Sequence, residues 1–236
     1  MKRRGFLVGS GALMLVGCTA SEDKATDASV PLDTDPSDPP DTDAGDPPSV
    51  IDTDGDTART GECGVTIDQT PGPFELDIDG PRSDLSGDGP GLPLTVEIQV
   101  VDHVSCDVLE GATVDLWHAN RDGVYSGFAS QDSKGEDFFR GEQVTDAKGT
   151  VVFTTRFPGF YPGRTAHLHV RVRAEGYPDR VTQLYFDTAT VDAVQKVYGK
   201  ADTDNDTDGF YTEHHRMAVS EMDEGFAAFG LIGMTL

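Results

Sequence analysis

Basic side chains are scarce in this sequence. Only 18 lysines and arginines stand against 42 aspartates and glutamates, for a formal net charge of −24. Such a chain repels phosphate backbones, which excludes nucleic acid as a partner. Cysteine is nearly missing, with three among 236 residues, so this is not a small scaffold stapled throughout by disulfides. An apolar run long enough for a comfortable membrane span is lacking, since the stretch from Gly5 to Gly17 is too short. Helical periodicity is sparse, and only Val191 to Tyr198 reads as helix. The length allows one moderate domain or two small ones.

The first 18 residues read as a targeting signal. A basic start, Met1-Lys2-Arg3-Arg4, precedes the apolar run, which ends in Leu15-Val16-Gly17-Cys18. That ending resembles a bacterial lipobox, implying cleavage before Cys18, its lipidation, and a membrane-anchored lipoprotein facing the periplasm or cell surface. Arg3-Arg4-Gly5-Phe6-Leu7 resembles a twin-arginine export signal, a route that carries folded proteins. Residues 19–60 are rich in Asp, Pro, Ser and Thr and hold almost no large apolar residue. Like charges and proline keep such a segment extended, so it reads as a solvated tether. Cys63 and Cys106 then remain as an even pair in an oxidising compartment, where a disulfide is expected.

Residues 61–236 read as the folded domain. Leu94, Val96, Ile98 and Val100 alternate with polar residues, as do Ala112, Val114 and Leu116, each pattern that of a half-buried strand. Further strands are expected at Val124 to Phe128, Val151 to Thr155, His167 to Arg173, Val181 to Phe186 and near Phe226 to Ile232. Short strands punctuated by Gly and Pro predict an all-β fold, a two-sheet β-sandwich with a short helix and long loops. The stretch Asp202-Thr203-Asp204-Asn205-Asp206-Thr207-Asp208-Gly209 reads as an acidic surface loop, because the frame of a calcium-binding EF-hand is missing.

The chemistry concentrates at Tyr161-Pro162-Gly163-Arg164-Thr165-Ala166-His167-Leu168-His169. On a strand, His167 and His169 leave on one face while Leu168, Val170 and Val172 leave on the other. Two imidazoles side by side with a phenol just upstream suit a metal. Together with Val114-Asp115-Leu116-Trp117-His118-Ala119-Asn120-Arg121-Asp122-Gly123-Val124-Tyr125 and Thr182-Gln183-Leu184-Tyr185-Phe186, this stretch resembles the intradiol ring-cleavage dioxygenases, the non-haem ferric enzymes that include catechol 1,2-dioxygenase and protocatechuate 3,4-dioxygenase. The resemblance implies Fe(III) held by Tyr125, Tyr161, His167 and His169, with Tyr125 and His167 equatorial and Tyr161 and His169 axial. It implies that Tyr161 leaves iron to accept a substrate proton, that Arg164 stabilises negative charge developing on the ring, and that Gln183 supports the site. The substrates would be a catechol and O2, and the product a cis,cis-muconic acid carrying both oxygen atoms. Phenolate is a hard anionic donor that favours Fe(III), and only a strongly Lewis-acidic cation keeps tyrosine ionised at neutral pH.

Other readings stand beside this one. Trp117 reads as packing and His118 as a structural hydrogen-bonding residue, although His118 with His167 and His169 would make a three-histidine zinc site. A zinc or copper site on the same scaffold is a further possibility. A β-sandwich lipoprotein that binds aromatic or carbohydrate ligands without chemistry would fit the fold and the tether equally well. Only six positions separate Tyr161 from His167, fewer than in the better-known cytoplasmic members of the family, which predicts a more open site. The chain also has no room for the helical N-terminal dimerisation domain of the catechol 1,2-dioxygenases. Family members often associate, so an oligomer is compatible with the resemblance, which does not specify the ring substituent.

Overall fold

A computed structural model describes residues 63–78, 80–199 and 203–236. The signal and lipidation expected at residues 1–18 and the tether expected at 19–60 lie outside the described residues. Among those described, no helix is long and apolar enough to cross a membrane.

Two four-stranded sheets form the fold. The strands are β1 (Pro93–Asp102), β2 (Thr113–Trp117), β3 (Arg140–Val144), β4 (Thr150–Arg156), β5 (His167–Arg173), β6 (Arg180–Tyr185), β7 (Ala218–Glu221) and β8 (Phe226–Met234). One sheet has the order β4-β1-β8-β7 and the other β3-β2-β5-β6. The β1–β8 pairing is parallel and the other pairings are antiparallel. Alternation places Leu94, Val96, Ile98 and Val100 of β1 in a core shared with Val114, Leu116, Leu168, Val170 and Val172 of the second sheet. Each such side chain contributes roughly 1.5–3 kcal/mol of burial. The expected all-β sandwich is thus observed, with one α-helix among the described residues, α1 (Thr188–Tyr198). Asp187 caps α1 by accepting from the Thr190 amide, and Gly199 ends it in the left-handed region at φ 67°.

Several local expectations are corrected. Val124 to Phe128 is loop rather than strand. Its backbone is held by the Asn120 side chain and by Ser133, whose hydroxyl donates to the Tyr125 carbonyl at 2.6 Å. Two unforeseen strands, β3 and β7, are short and polar. Residues 203–209 do not form a fully exposed acidic loop: Thr203, Asn205 and Asp208 are buried, while Asp204 and Asp206 face outward. The expected pair Cys63 and Cys106 is joined, with Cα atoms 5.6 Å apart.

Strand β5 positions the site. Its inward residues Leu168, Val170 and Val172 anchor it in the core, so His167 and His169 project from the outer face of the second sheet. There Trp117 and Gln183 flank His169 on the neighbouring strands, and Tyr185 lies beside His167. Loops cover this face, which is why the two histidines are as buried as the core.

Candidate metal centre

Two loops bring the phenols to the histidines. One carries Tyr125 after the turn at Gly123, and the other carries Tyr161. Gly123 has φ 82°, and a Cβ there would stand 2.4 Å from the Phe160 carbonyl oxygen. The two loops therefore meet backbone to backbone, which only glycine permits. Asn120 completes the junction: its side chain accepts from the Asp122 and Val124 amides, and its carbonyl accepts from Gly159.

Four donor atoms converge. The Tyr125 hydroxyl lies 3.1 Å from His167 Nε2, 3.2 Å from His169 Nε2 and 3.5 Å from the Tyr161 hydroxyl. The Tyr161 hydroxyl lies 3.2 Å from His167 Nε2. These are the spacings of atoms that surround a common centre at about 2 Å, the distance usual for nitrogen and oxygen ligands of a transition metal. The tautomer of His167 is set, because its Nδ1 donates to the Thr165 carbonyl at 2.6 Å and leaves the Nε2 lone pair facing the phenols. The ring of His169 stacks on Trp117 with centroids 5.0 Å apart, and its Nδ1 has no hydrogen-bond partner among the described residues.

Electrostatics keep the imidazoles neutral and available. Burial lowers His167 to about 3 and His169 well below the ordinary histidine value, with nearby cations adding to the effect. Burial pushes the Tyr125 phenol well above its ordinary value. Tyr161 is raised by burial too, against the opposing pull of the Arg164 guanidinium. Without a cation, then, both phenols stay protonated. Two neutral imidazole nitrogens and two ionisable phenol oxygens in one buried cluster form a donor set that fits a trivalent, oxygen-preferring cation. Among the described residues no group of three or more His, Cys, Asp or Glu side chains could hold a metal. The three-histidine zinc arrangement is therefore not formed. His118 spends both nitrogens elsewhere, donating from Nδ1 to the Ala119 carbonyl at 2.8 Å and accepting at Nε2 from the Thr155 hydroxyl at 2.9 Å.

Arg164 and Gln183 stand beside the cluster. A guanidinium nitrogen of Arg164 donates to the Tyr161 hydroxyl at 3.4 Å, and another donates to Gln183 Oε1. Gln183 Nε2 donates in turn to the Thr70 carbonyl at 3.0 Å. Three supporting residues escaped the sequence reading. Phe74 stacks on Tyr125 with centroids 4.7 Å apart. Buried Arg140 donates to the Phe74 carbonyl and to both oxygens of Ser126, fixing the residue after Tyr125. Asp208 accepts from Arg164 Nε at 3.0 Å. The run Thr70-Pro71-Gly72-Pro73-Phe74 marks a turn without announcing the stack on Tyr125, and Arg140 and Asp208 carry no signal in their spacing.

The family model described as Dioxygenase matches residues 72–203, more than half of the chain and the whole of this cluster. The chain belongs to the intradiol ring-cleavage dioxygenase family. An intradiol ring-cleavage dioxygenase from Tetranychus urticae is 29% identical with a TM-score of 0.68, over 73% of this chain and 95% of that one. The dioxygenase domain of a dioxygenase carbohydrate-binding protein fusion from Streptomyces sp. SirexAA-E is 32% identical with a TM-score of 0.59, over 73% of this chain and 100% of that one. A chlorocatechol 1,2-dioxygenase of Pseudomonas putida is 33% identical over 34% of this chain, and the match spans 37% of the length of that curated relative.

Proposed function

We propose that this intradiol-family chain is an exported, lipid-anchored Fe(III) dioxygenase that cleaves a catechol between its two hydroxylated carbons with O2, giving a cis,cis-muconic acid-type product. The observation that carries the proposal is the convergence of Tyr125, Tyr161, His167 and His169 within 3.5 Å on one buried face. Tyr125, Tyr161, His167 and His169 would hold the ferric iron, which would supply Lewis acidity for ionised phenolates and catecholate and an electron acceptor for the ring's reaction with O2.

The two tyrosines divide the work by their surroundings. Tyr125 is 1% exposed and clamped by Phe74, so it serves as the fixed ligand. Tyr161 is only partly buried and lies against Arg164, so its oxygen can turn away and hold a proton from the incoming catechol. The Arg164 guanidinium then faces the ring oxygen, where negative charge accumulates. Gln183 fixes that guanidinium through its Oε1. A ligand-binding lipoprotein without chemistry would have no use for such a donor set.

Cys18 anchors the chain through lipid after export, and the Cys63–Cys106 bond forms in that oxidising compartment. Ferric-loaded protein supplied with catechol should consume one O2 per ring and release a dicarboxylic acid that contains both atoms of labelled O2. Tight catechol binding with no O2 uptake would overturn the assignment.

A further inference from the structure

The 203–211 segment, read from sequence as surface, grips the active-site arginine. Arg164 Nε donates to both carboxylate oxygens of Asp208, at 3.1 and 3.0 Å. The Asp208 side chain is fully buried and is itself fixed, since it accepts from the Thr165 amide at 3.0 Å and the Phe210 amide at 2.9 Å. Other contacts extend the grip. Thr203 accepts from the Gly163 amide, and Asn205 Oδ1 accepts from the Thr165 hydroxyl. The Phe210 ring lies under the guanidinium, 4.8 Å from its central carbon. Gln183 Oε1 and the Tyr185 hydroxyl occupy another nitrogen, leaving the remaining one directed at Tyr161. Asp208 lies beyond residue 203, where the family match ends.

We propose that Asp208 is the positioning residue for Arg164: its carboxylate fixes the Nε edge of the guanidinium, so that the opposite edge faces Tyr161 and the substrate oxygen. The physical need is clear. An arginine held beside a metal-binding cluster meets cationic repulsion, and its long side chain has many rotamers. A buried carboxylate bound to Nε balances the charge and selects one rotamer in advance of substrate, which is the preorganisation that charge-stabilising groups require. The inference rests on the ferric dioxygenase reading for what Arg164 does, but the grip itself is a matter of this chain's own contacts.

The test is anaerobic catechol titration of the ferric-loaded full chain, comparing wild type, Asp208→Asn, Arg164→Gln and the double variant, with iron content and thermal unfolding measured on each. Iron uptake and a catechol-dependent colour change in the wild type test the functional reading by themselves. Given those, Asp208→Asn should retain iron yet weaken catechol binding about tenfold, and should cost little more once Arg164 is already glutamine. A loss of equal size in the Arg164→Gln background, or no loss at all in folded Asp208→Asn protein, overturns the proposal. If Asp208→Asn does not fold, Asp208→Glu keeps the charge and displaces it by one methylene. Wild-type catechol affinity in the folded Asp208→Glu protein would then overturn the proposal, and a weakened affinity that vanishes in the Arg164→Gln background would sustain it.

Discussion

His118 and the pair His167 and His169 are equally buried, at 1% and 2% exposure, yet they do different things. Both nitrogens of His118 are closed by protein, one by a carbonyl and one by a hydroxyl. The β5 histidines turn Nε2 towards phenols, and in His167 the bond from Nδ1 to the Thr165 carbonyl leaves the lone pair there. Burial and a depressed proton affinity are common to all three, so neither property marks a ligand. What marks it is the unspent nitrogen and the chemistry of what faces it. A buried histidine with two protein partners is part of the framework, and one with a nitrogen left for a phenol cluster can take a metal.

The comparison breaks most visibly at the ligands. His167→Ala or His169→Ala should reduce ferric affinity more than about 100-fold, beyond the range usual for residues that only support a ligand. Iron analysis after dialysis checks this, and His118→Ala should not share the effect. The tyrosines come next. Tyr125→Phe should cost more iron than Tyr161→Phe, because Tyr125 is the enclosed phenol and Tyr161 the partly exposed one; equal losses would remove the proposed division of roles.

Acid sharpens the contrast from the framework side. Burial lowers His118 from an ordinary 6.5 to about 4. Between these values the unfolded chain binds a proton that the folded chain refuses. Stability from this group is therefore complete above about pH 6.5 and drains away as pH falls towards 4, by roughly 3 kcal/mol at most. Denaturant unfolding of His118→Gln across that range should show a flatter pH dependence than wild type, whatever its absolute stability. The smallest effect is expected at Thr155→Val, which removes the donor to His118 Nε2 and should cost about 1–2 kcal/mol while leaving iron content unchanged.

Much of this was legible in the sequence because local pattern and chemistry coincided. The alternation in β1 and β5 gave their faces, while their partners in the sheets came only from the structure. The His-x-His pair with Tyr161 just upstream pointed to a metal by residue type, whereas Tyr125 joined the set only through the resemblance of its motif to the intradiol dioxygenases. Strand β3 was not legible: Arg-Gly-Glu-Gln-Val has one branched residue, and Arg140 is buried through bonds to Ser126 and Phe74 that no spacing announces. β7 is a four-residue edge strand that is mostly exposed, so it has no apolar face to advertise. Asp208 was hidden by its neighbours. In a run of alternating aspartates every second residue looks alike, and only the fold decides that Asp208 is buried against Arg164 while Asp204 and Asp206 face water.

The central claim is that two tyrosines and two histidines make one ferric site. A visible absorption spectrum of the purified chain after ferric reconstitution, before and after anaerobic catechol, tests it most directly. The account predicts a red-brown tyrosinate-to-iron band that shifts when catechol binds and bleaches when air is readmitted. A protein that stays colourless with ferric iron present would contradict it, and the assignments of Tyr125 and Tyr161 would fall with it.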